Sequence, residues 1–207
     1  VLGFAHELDE RFDKFTDTER SDLIGLIAAQ SREVANIVDD LLTAARAEAG
    51  TIVIAPAAFS MRSLVGEVLS SHSGRVDFAM SEDLEVWADA GRVRQILRNL
   101  LTNAERYGGN IVKINIHADA DMIRVEVRDN GEGIPRGMRD QVFEPYARAN
   151  NSSSQPASVG LGLSVARRLA QMMAGDVELS ISDGWTIFSL TLPLAGAAAS
   201  TQHRLAG

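Results

Sequence analysis

Four short segments between Asn99 and Gly162 carry side chains suited to a phosphate chain, its cation and a purine base: Asn99-Leu-Leu-Thr-Asn103, Asp129-Asn-Gly131-Glu-Gly133, Phe143-Glu-Pro-Tyr146 and Gly160-Leu161-Gly162. Asn99, Asn103 and Tyr107 recur every four residues, so a helix would set them on one face. Carboxamide oxygens are neutral ligands that can help hold Mg²⁺ while phosphates and waters fill most of its octahedron. Arg106 is a candidate phosphate contact beside them, and Tyr107 a flat surface for a base. The same spacing also describes the wet side of any amphipathic helix.

Asp129 ends an apolar run, and a carboxylate there can accept the hydrogen bond of an adenine amino group. Gly131 and Gly133 would let the backbone approach a ring closely. Asp, Asn and Gly are equally the composition of a tight turn. Gly160-Leu161-Gly162 opens a helical pattern, and N–H groups at a helix start bind anions. The polar, unpatterned stretch before it would fold over a triphosphate as a lid; a loop ending in a glycine-rich cap is the plainer alternative. Neither a Walker A loop nor a dinucleotide fingerprint is present, because no Lys-Ser/Thr pair follows the glycines and no strand-to-helix Gly-x-Gly-x-x-Gly occurs.

These segments need a scaffold. Residues 91–107 form a strongly amphipathic helix whose buried stripe is Val93, Ile96, Leu97, Leu100, Leu101 and Ala104. Residues 111–117 and 122–128 alternate as a hairpin over Asp119-Ala-Asp121. Further strands are expected at 52–54, 76–80, 84–88, 177–181 and 186–192, and helices at 60–70, capped by Ser60, and at 161–173. Ahead of them, residues 2–15 and 22–49 have helical period and flank Thr16-Asp-Thr-Glu19, where Glu19 follows Thr16 at capping-box spacing. Ile27, Gln30, Val34, Ile37, Leu41 and Ala44 follow an a/d heptad, so an antiparallel hairpin that dimerises into a four-helix bundle is expected. The alternative is an ordinary helix pair packed on the next domain. The fold class is thus α+β: a helical hairpin (1–50), an α/β sandwich with one mixed sheet and helices on one side (51–194), and a frayed Ala/Gly-rich tail (195–207).

Of the 207 residues 45% are hydrophobic and the net charge is −8, without a dense basic cluster, which argues against a nucleic-acid partner. The absence of cysteine excludes disulfides and thiolate chemistry and suits a reducing compartment, the cytoplasm by default. No apolar run approaches the roughly 20 residues of a membrane helix, so any membrane attachment is expected through segments outside this sequence. The chain starts without Met and inside a helical pattern, and reads as part of a longer polypeptide.

The combination of segments closely resembles the catalytic core of bacterial two-component sensor histidine kinases, whose ATP domain has the Bergerat fold. Asn99 and Asn103 match that family's N box, Asp129, Gly131 and Gly133 its first glycine box, residues 143–146 its F box, and residues 160–162 its second glycine box. The resemblance implies ATP and Mg²⁺ as cofactors, Asn103 as the main metal contact, Asp129 as the adenine reader and Tyr107 packed on the base. It further implies Arg106 and Arg148 near phosphates, Tyr146 and Leu161 at the site through their boxes, and 147–159 as the ATP lid. Residues 37–50 resemble the second helix of the family's dimerisation and phosphotransfer hairpin, which implies a homodimer that serves a response-regulator receiver domain. Related chaperone, topoisomerase and mismatch-repair ATPases usually place a Glu where Asn99 stands, so water activation is not implied.

One departure matters more than the matches. The family's phospho-acceptor lies in His-Glu-Leu-Arg-Thr-Pro, whereas His6-Glu7-Leu8 is followed by Asp9-Glu10-Arg11. His6 is therefore not expected to be the acceptor, which is expected upstream of residue 1. Ala174 stands where the family often has Gly, and no consequence is expected. An ATP-gated interaction module or degenerate kinase that binds nucleotide without transfer predicts the same pocket. An anti-sigma-type serine kinase also shares it, but the hairpin speaks against that reading.

Overall fold

The computed structural model describes residues 2–72, 74–147 and 160–196. Its first element, α1 (Leu2–Glu10), is shorter than expected, because residues 12–14 tighten into a 3₁₀ turn. Arg20 holds that turn, with its guanidinium 4.3 Å from the Phe12 ring centre and its Nε donating to the Phe12 carbonyl at 2.9 Å. Thr16 then starts α2 (Asp17–Glu48), five residues ahead of the expected start. The capping box is reciprocal: Thr16 Oγ1 accepts from the Glu19 N–H at 3.3 Å, and the Thr16 N–H donates to the Glu19 carboxylate at 2.8 Å. Such a box satisfies two of the N–H groups that a helix start leaves open.

The apolar stripe of α2 divides between two environments. Ala44 and buried Thr43 face the sandwich, and Ile37 turns to the same side. Val34 and Leu41 lie exposed, together with Ile24, Leu26, Val38 and Leu42. One side of α2 is thus covered by the sandwich, and the other is exposed.

Ile52 and Ile54 pack on the core with Val53 pointing outward, yet this stretch pairs with no strand among the described residues. The first ladder comes later: β1 (Ala57–Ser60) pairs antiparallel with β3 (Glu85–Ala88) as a separate ribbon. A single bridge between Val86 and Leu194 ties that ribbon to the main sheet. Between the two ribbon strands lie α3 (Met61–Ser70), capped by Ser60 as expected, and β2 (Val76–Met80).

The main sheet has the order β2-β4-β5-β7-β6, with β4 (Val112–Asp119), β5 (Met122–Asp129), β6 (Asp176–Ser182) and β7 (Trp185–Pro193). Only β2 and β4 run parallel, which makes it the expected mixed sheet. Alternation fixes its faces: Ile114 and Ile116 of β4, Ile123, Val125 and Val127 of β5, and Phe188, Leu190 and Leu192 of β7 are all buried. Against them pack α3, α4 (Ala90–Tyr107) and α5 (Gly162–Met172). Every member of the expected α4 stripe is buried.

The end of α5 is a Schellman turn, in which the Gly175 N–H donates to the Ala170 carbonyl at 2.9 Å and the Ala174 N–H to that of Gln171 at 3.2 Å. Ala174 occupies its left-handed position, at φ 58°. Arg148, most of the expected lid and the tail beyond Gly196 lie outside the described residues.

Candidate nucleotide site

The base end of the site follows from strand parity. Asp129 continues the inward-facing phase of Ile123, Val125 and Val127, but sits at the strand end, where the core gives way to a cleft of about 1030 Å³. Its Cα partner on β7 is Thr186, also inward-facing, and the two are 3% and 4% exposed. Asp129 Oδ1 accepts from the Gly131 N–H at 3.0 Å, and the other carboxylate oxygen has no partner among the described residues. Burial raises the Asp129 carboxyl above the ordinary aspartate range, partly offset by that backbone hydrogen bond. A half-satisfied buried carboxylate beside a hydroxyl is a donor-seeking edge.

Gly131 also has a packing role. A Cβ there would fall on the Tyr107 carbonyl oxygen and 2.7 Å from Gly108 Cα. The space a Cβ would take is filled by the end of α4. That close approach fixes Asp129 relative to Asn103, Arg106 and Tyr107, which line the same cleft with Gly133.

Asn103, Arg106 and Tyr107 also line a second, smaller cleft of about 130 Å³, together with Asn99 of the same helix and with Gly160, Leu161 and Gly162. The two clefts together run from the β5 strand end to the start of α5. Leu161, at the helix N-cap, offers no side-chain cap, so the first N–H groups of α5 are left to other acceptors. Gly160 holds φ 74°, and a Cβ there would lie 2.8 Å from the Ala147 carbonyl. Its own carbonyl accepts from the Tyr146 N–H at 2.9 Å, which ties Tyr146 to the start of α5.

Of the expected site residues, Asn99, Asn103, Arg106, Tyr107, Asp129, Gly131, Gly133, Gly160, Leu161 and Gly162 line one or both clefts. The Tyr146 side chain lines neither and is 64% exposed. Phe143 is an anchor, edge-on to Phe188 at 6.2 Å and covered by the Arg167 guanidinium at 4.7 Å. Thr186 was not among the expected residues, although its phase with Phe188 marks it as inward-facing. Gln95 and Asp40 also line the smaller cleft. Gln95 extends the four-residue row of Asn99, Asn103 and Tyr107 by one step, a signal present in the sequence. His6 lies exposed on α1, its Nε2 3.2 Å from Glu10.

ATP and Mg²⁺ suit this donor set. The unpaired Asp129 oxygen fits an amino donor, and the uncapped α5 start fits phosphate. Among the described residues no cluster of three acidic or histidine side chains could hold a metal alone. The carboxamides Asn99 and Asn103 match an ion that nucleotide oxygens and water mostly coordinate.

Residues 88–196 match the family of histidine kinase-, DNA gyrase B-, and HSP90-like ATPases, which is more than half of the 207-residue chain. The chain belongs to that family, as a sensor histidine kinase catalytic core. The probable sensor histidine kinase TcrY of Mycobacterium tuberculosis is 32% identical over 178 residues, covering 82% of this chain and 38% of TcrY. The chain therefore spans well under half the length of that relative. Histidine kinase AdeS of Acinetobacter baumannii shares the fold, with a TM-score of 0.63 at 20% identity over 94% of this chain and 93% of that one. Full-length ShkA, solved in complex with AMPPNP, has a TM-score of 0.68 at 26% identity over 87% of this chain and 40% of its own. No helix among the described residues is long and apolar enough to cross a membrane.

Proposed function

We propose that this chain binds Mg·ATP in the joined clefts and transfers the γ-phosphoryl group to a histidine, for relay to an aspartate of a response-regulator receiver domain. The observation that carries the reading is Asp129: a buried carboxylate with one oxygen unpaired, at the far end of a cleft from an uncapped helix start. In this reading Asp129 and Thr186 hold the adenine edge and Tyr107 covers the ring. Asn99 and Asn103 present carboxamide oxygens, with Asn103 as the main metal contact. Arg106, Arg148 and the N–H groups after Gly160 take the phosphates. Mg²⁺, when bound, would neutralise phosphate charge. The residues position and screen the phosphoryl group; no side chain is assigned to activate water. A neutral imidazole nitrogen forms the new bond to phosphorus as the bond to the bridging oxygen of ADP breaks.

The acceptor is a histidine other than His6, whose ring pairs with Glu10 and whose flanking residues depart from the acceptor pattern. The exposed stripe of α2 supports a homodimer built through the hairpin, with residues 1–50 as the phosphotransfer unit and 51–194 as the ATP-binding unit. A cytoplasmic location follows from ATP as substrate. That same departure around His6 favours a second reading, nucleotide binding without transfer. Autoradiography with labelled ATP decides between them: the chain should label, in an acid-labile form, a hairpin bearing His-Glu-Leu-Arg-Thr-Pro. Nucleotide binding without any labelling of that hairpin supports the second reading. Labelling of the chain itself that is lost in His6→Ala would overturn the assignment at His6.

A further inference from the structure

One wall of the smaller cleft comes from the hairpin. Asp40 on α2 accepts at Oδ1 from Asn99 Nδ2 at 3.2 Å and from Gln95 Nε2 at 3.3 Å. Gln95 Nε2 also donates to Thr43 Oγ1 at 3.2 Å, and Asn99 Nδ2 also donates to the Gly162 carbonyl at 2.9 Å. A continuous chain of hydrogen bonds thus joins α2, α4 and the first residue of α5. A carboxylate and a carbonyl only accept, so both demand the nitrogen end of the Asn99 carboxamide. Its oxygen is turned away from them.

We propose that Asp40 is a positioning residue, supplied by the hairpin, that holds Asn99 with its amide nitrogen engaged and its carboxamide oxygen presented to the metal of the bound nucleotide. The inference rests on the Mg·ATP reading above. A contact that merely docked α2 on α4 would be made at lower desolvation cost by apolar side chains. Here a half-buried carboxylate is placed against a residue of the nucleotide cleft instead. The consequence is linkage: what favours hairpin docking favours metal-assisted nucleotide binding, by the same factor in both directions. With the hairpin displaced, Asn99 keeps only the Gly162 carbonyl as an orienting acceptor.

Isothermal titration of the whole chain with a non-hydrolysable ATP analogue, in Mg²⁺ and in EDTA, tests this. Asp40→Ala is expected to cut the Mg²⁺ enhancement of affinity about tenfold, the worth of one hydrogen bond to a charged group, without weakening metal-free binding. Asp40→Asn keeps an accepting oxygen and should retain the enhancement to within about threefold. The Asn99 side-chain amide protons, followed by NMR, should lose exchange protection in Asp40→Ala and keep it in Asp40→Asn. Alanine is favourable inside a helix, and matching melting curves serve as the fold control.

An unchanged Mg²⁺ enhancement in Asp40→Ala overturns the proposal. So does tighter Mg²⁺-nucleotide binding, which would make Asp40 a block, and so does equal loss in both variants, which would make its charge a direct metal contact. Failure of the unmodified chain to bind the analogue at all would instead overturn the nucleotide reading, and this inference with it.

Discussion

Asp129 and Thr186 are Cα partners across the β5–β7 ladder, and both side chains lie buried on the inner face of the sheet where the core ends. Core positions on either side of this pair's phase are aliphatic or aromatic, so two polar groups side by side mark the point at which the sheet stops serving packing.

An adenine-reading role makes Asp129 sensitive to the exocyclic amino group. Asp129→Ala should weaken ATP binding by about 10- to 100-fold, the range expected for a hydrogen bond to a charged acceptor. The unmodified chain should prefer ATP to ITP, which lacks that donor, and Asp129→Ala should abolish the preference. Thr186→Val should cost about fivefold. Calorimetry with both nucleotides measures this, and an undiminished ATP preference in Asp129→Ala would place the base elsewhere.

Asn103 lines both clefts, at their junction. Its replacement by Ala removes a carboxamide oxygen but no charge, so metal-free ATP should bind nearly as before. The Mg²⁺ dependence of affinity should fall by about tenfold. Loss in both conditions alike would assign Asn103 to the nucleotide rather than to the metal.

Much of the site was legible because period and chemistry coincide. The α4 stripe and the four-residue row beside it come from one helical repeat, and Asp129 is the last inward position of an alternating strand. What escaped was set by partners distant in sequence. Residues 52–54 have strand composition but no neighbouring edge, so the ladder forms at Ala57–Ser60 instead. Gly131 is small because of the α4 terminus, a neighbour created only by the fold. Asp40 is separated from the α4 row by a whole domain's start, and no periodicity connects the two. The α2 heptad was visible, but its division between the sandwich and solvent was not.

The Arg167–Asp176 pair gives an acid-side dependence of stability. Burial alone would raise the Asp176 carboxyl, but hydrogen bonds from Arg167 and the Val177 N–H, with the Arg167 charge, outweigh it and hold the carboxyl below the ordinary aspartate value. Arg167 donates twice, from Nε and NH2, at 3.0 Å each, while its guanidinium covers Phe143. A carboxyl with a depressed folded pKa contributes stability above its unfolded pKa and loses it as pH falls through the folded one. Asp176→Asn should therefore lower the melting temperature at pH 7 by an amount equivalent to about 1 kcal/mol, with the difference shrinking below pH 4. Parallel melting curves from pH 3 to 7 would show it; a constant difference would assign the effect to packing on Phe143.

Leu41 and Leu42 are exposed on the outward face of α2, in line with Val34 and Val38. Contiguous apolar surface of this kind is usually covered by a partner. Multi-angle scattering should give a dimer for the unmodified chain and a monomer for the double substitution Leu41→Glu and Leu42→Glu, with nucleotide affinity preserved because neither residue lines the clefts. A monomeric unmodified chain would refute coverage by a second copy.

Ala174 closes α5 in the left-handed region, at φ 58°, where a Cβ is crowded by its own backbone. The turn it occupies is fully bonded through Ala174 and Gly175, so the chain is held in that conformation by the turn rather than by the residue's preference. Ala174→Gly relieves the crowding, but also loosens the unfolded chain, and the two effects oppose. At a left-handed position the steric term is the larger, which leaves a net gain of about 1 kcal/mol, or roughly 2–4 °C in melting temperature for a chain of this size. Gly175→Ala is the contrasting case, because its Cβ would fall on the Thr191 carbonyl oxygen, and it should destabilise by more than Ala174→Gly stabilises. Opposite shifts in the two variants by thermal denaturation bear out the turn geometry. A neutral or destabilising Ala174→Gly would mean that the end of α5 relaxes to accommodate alanine.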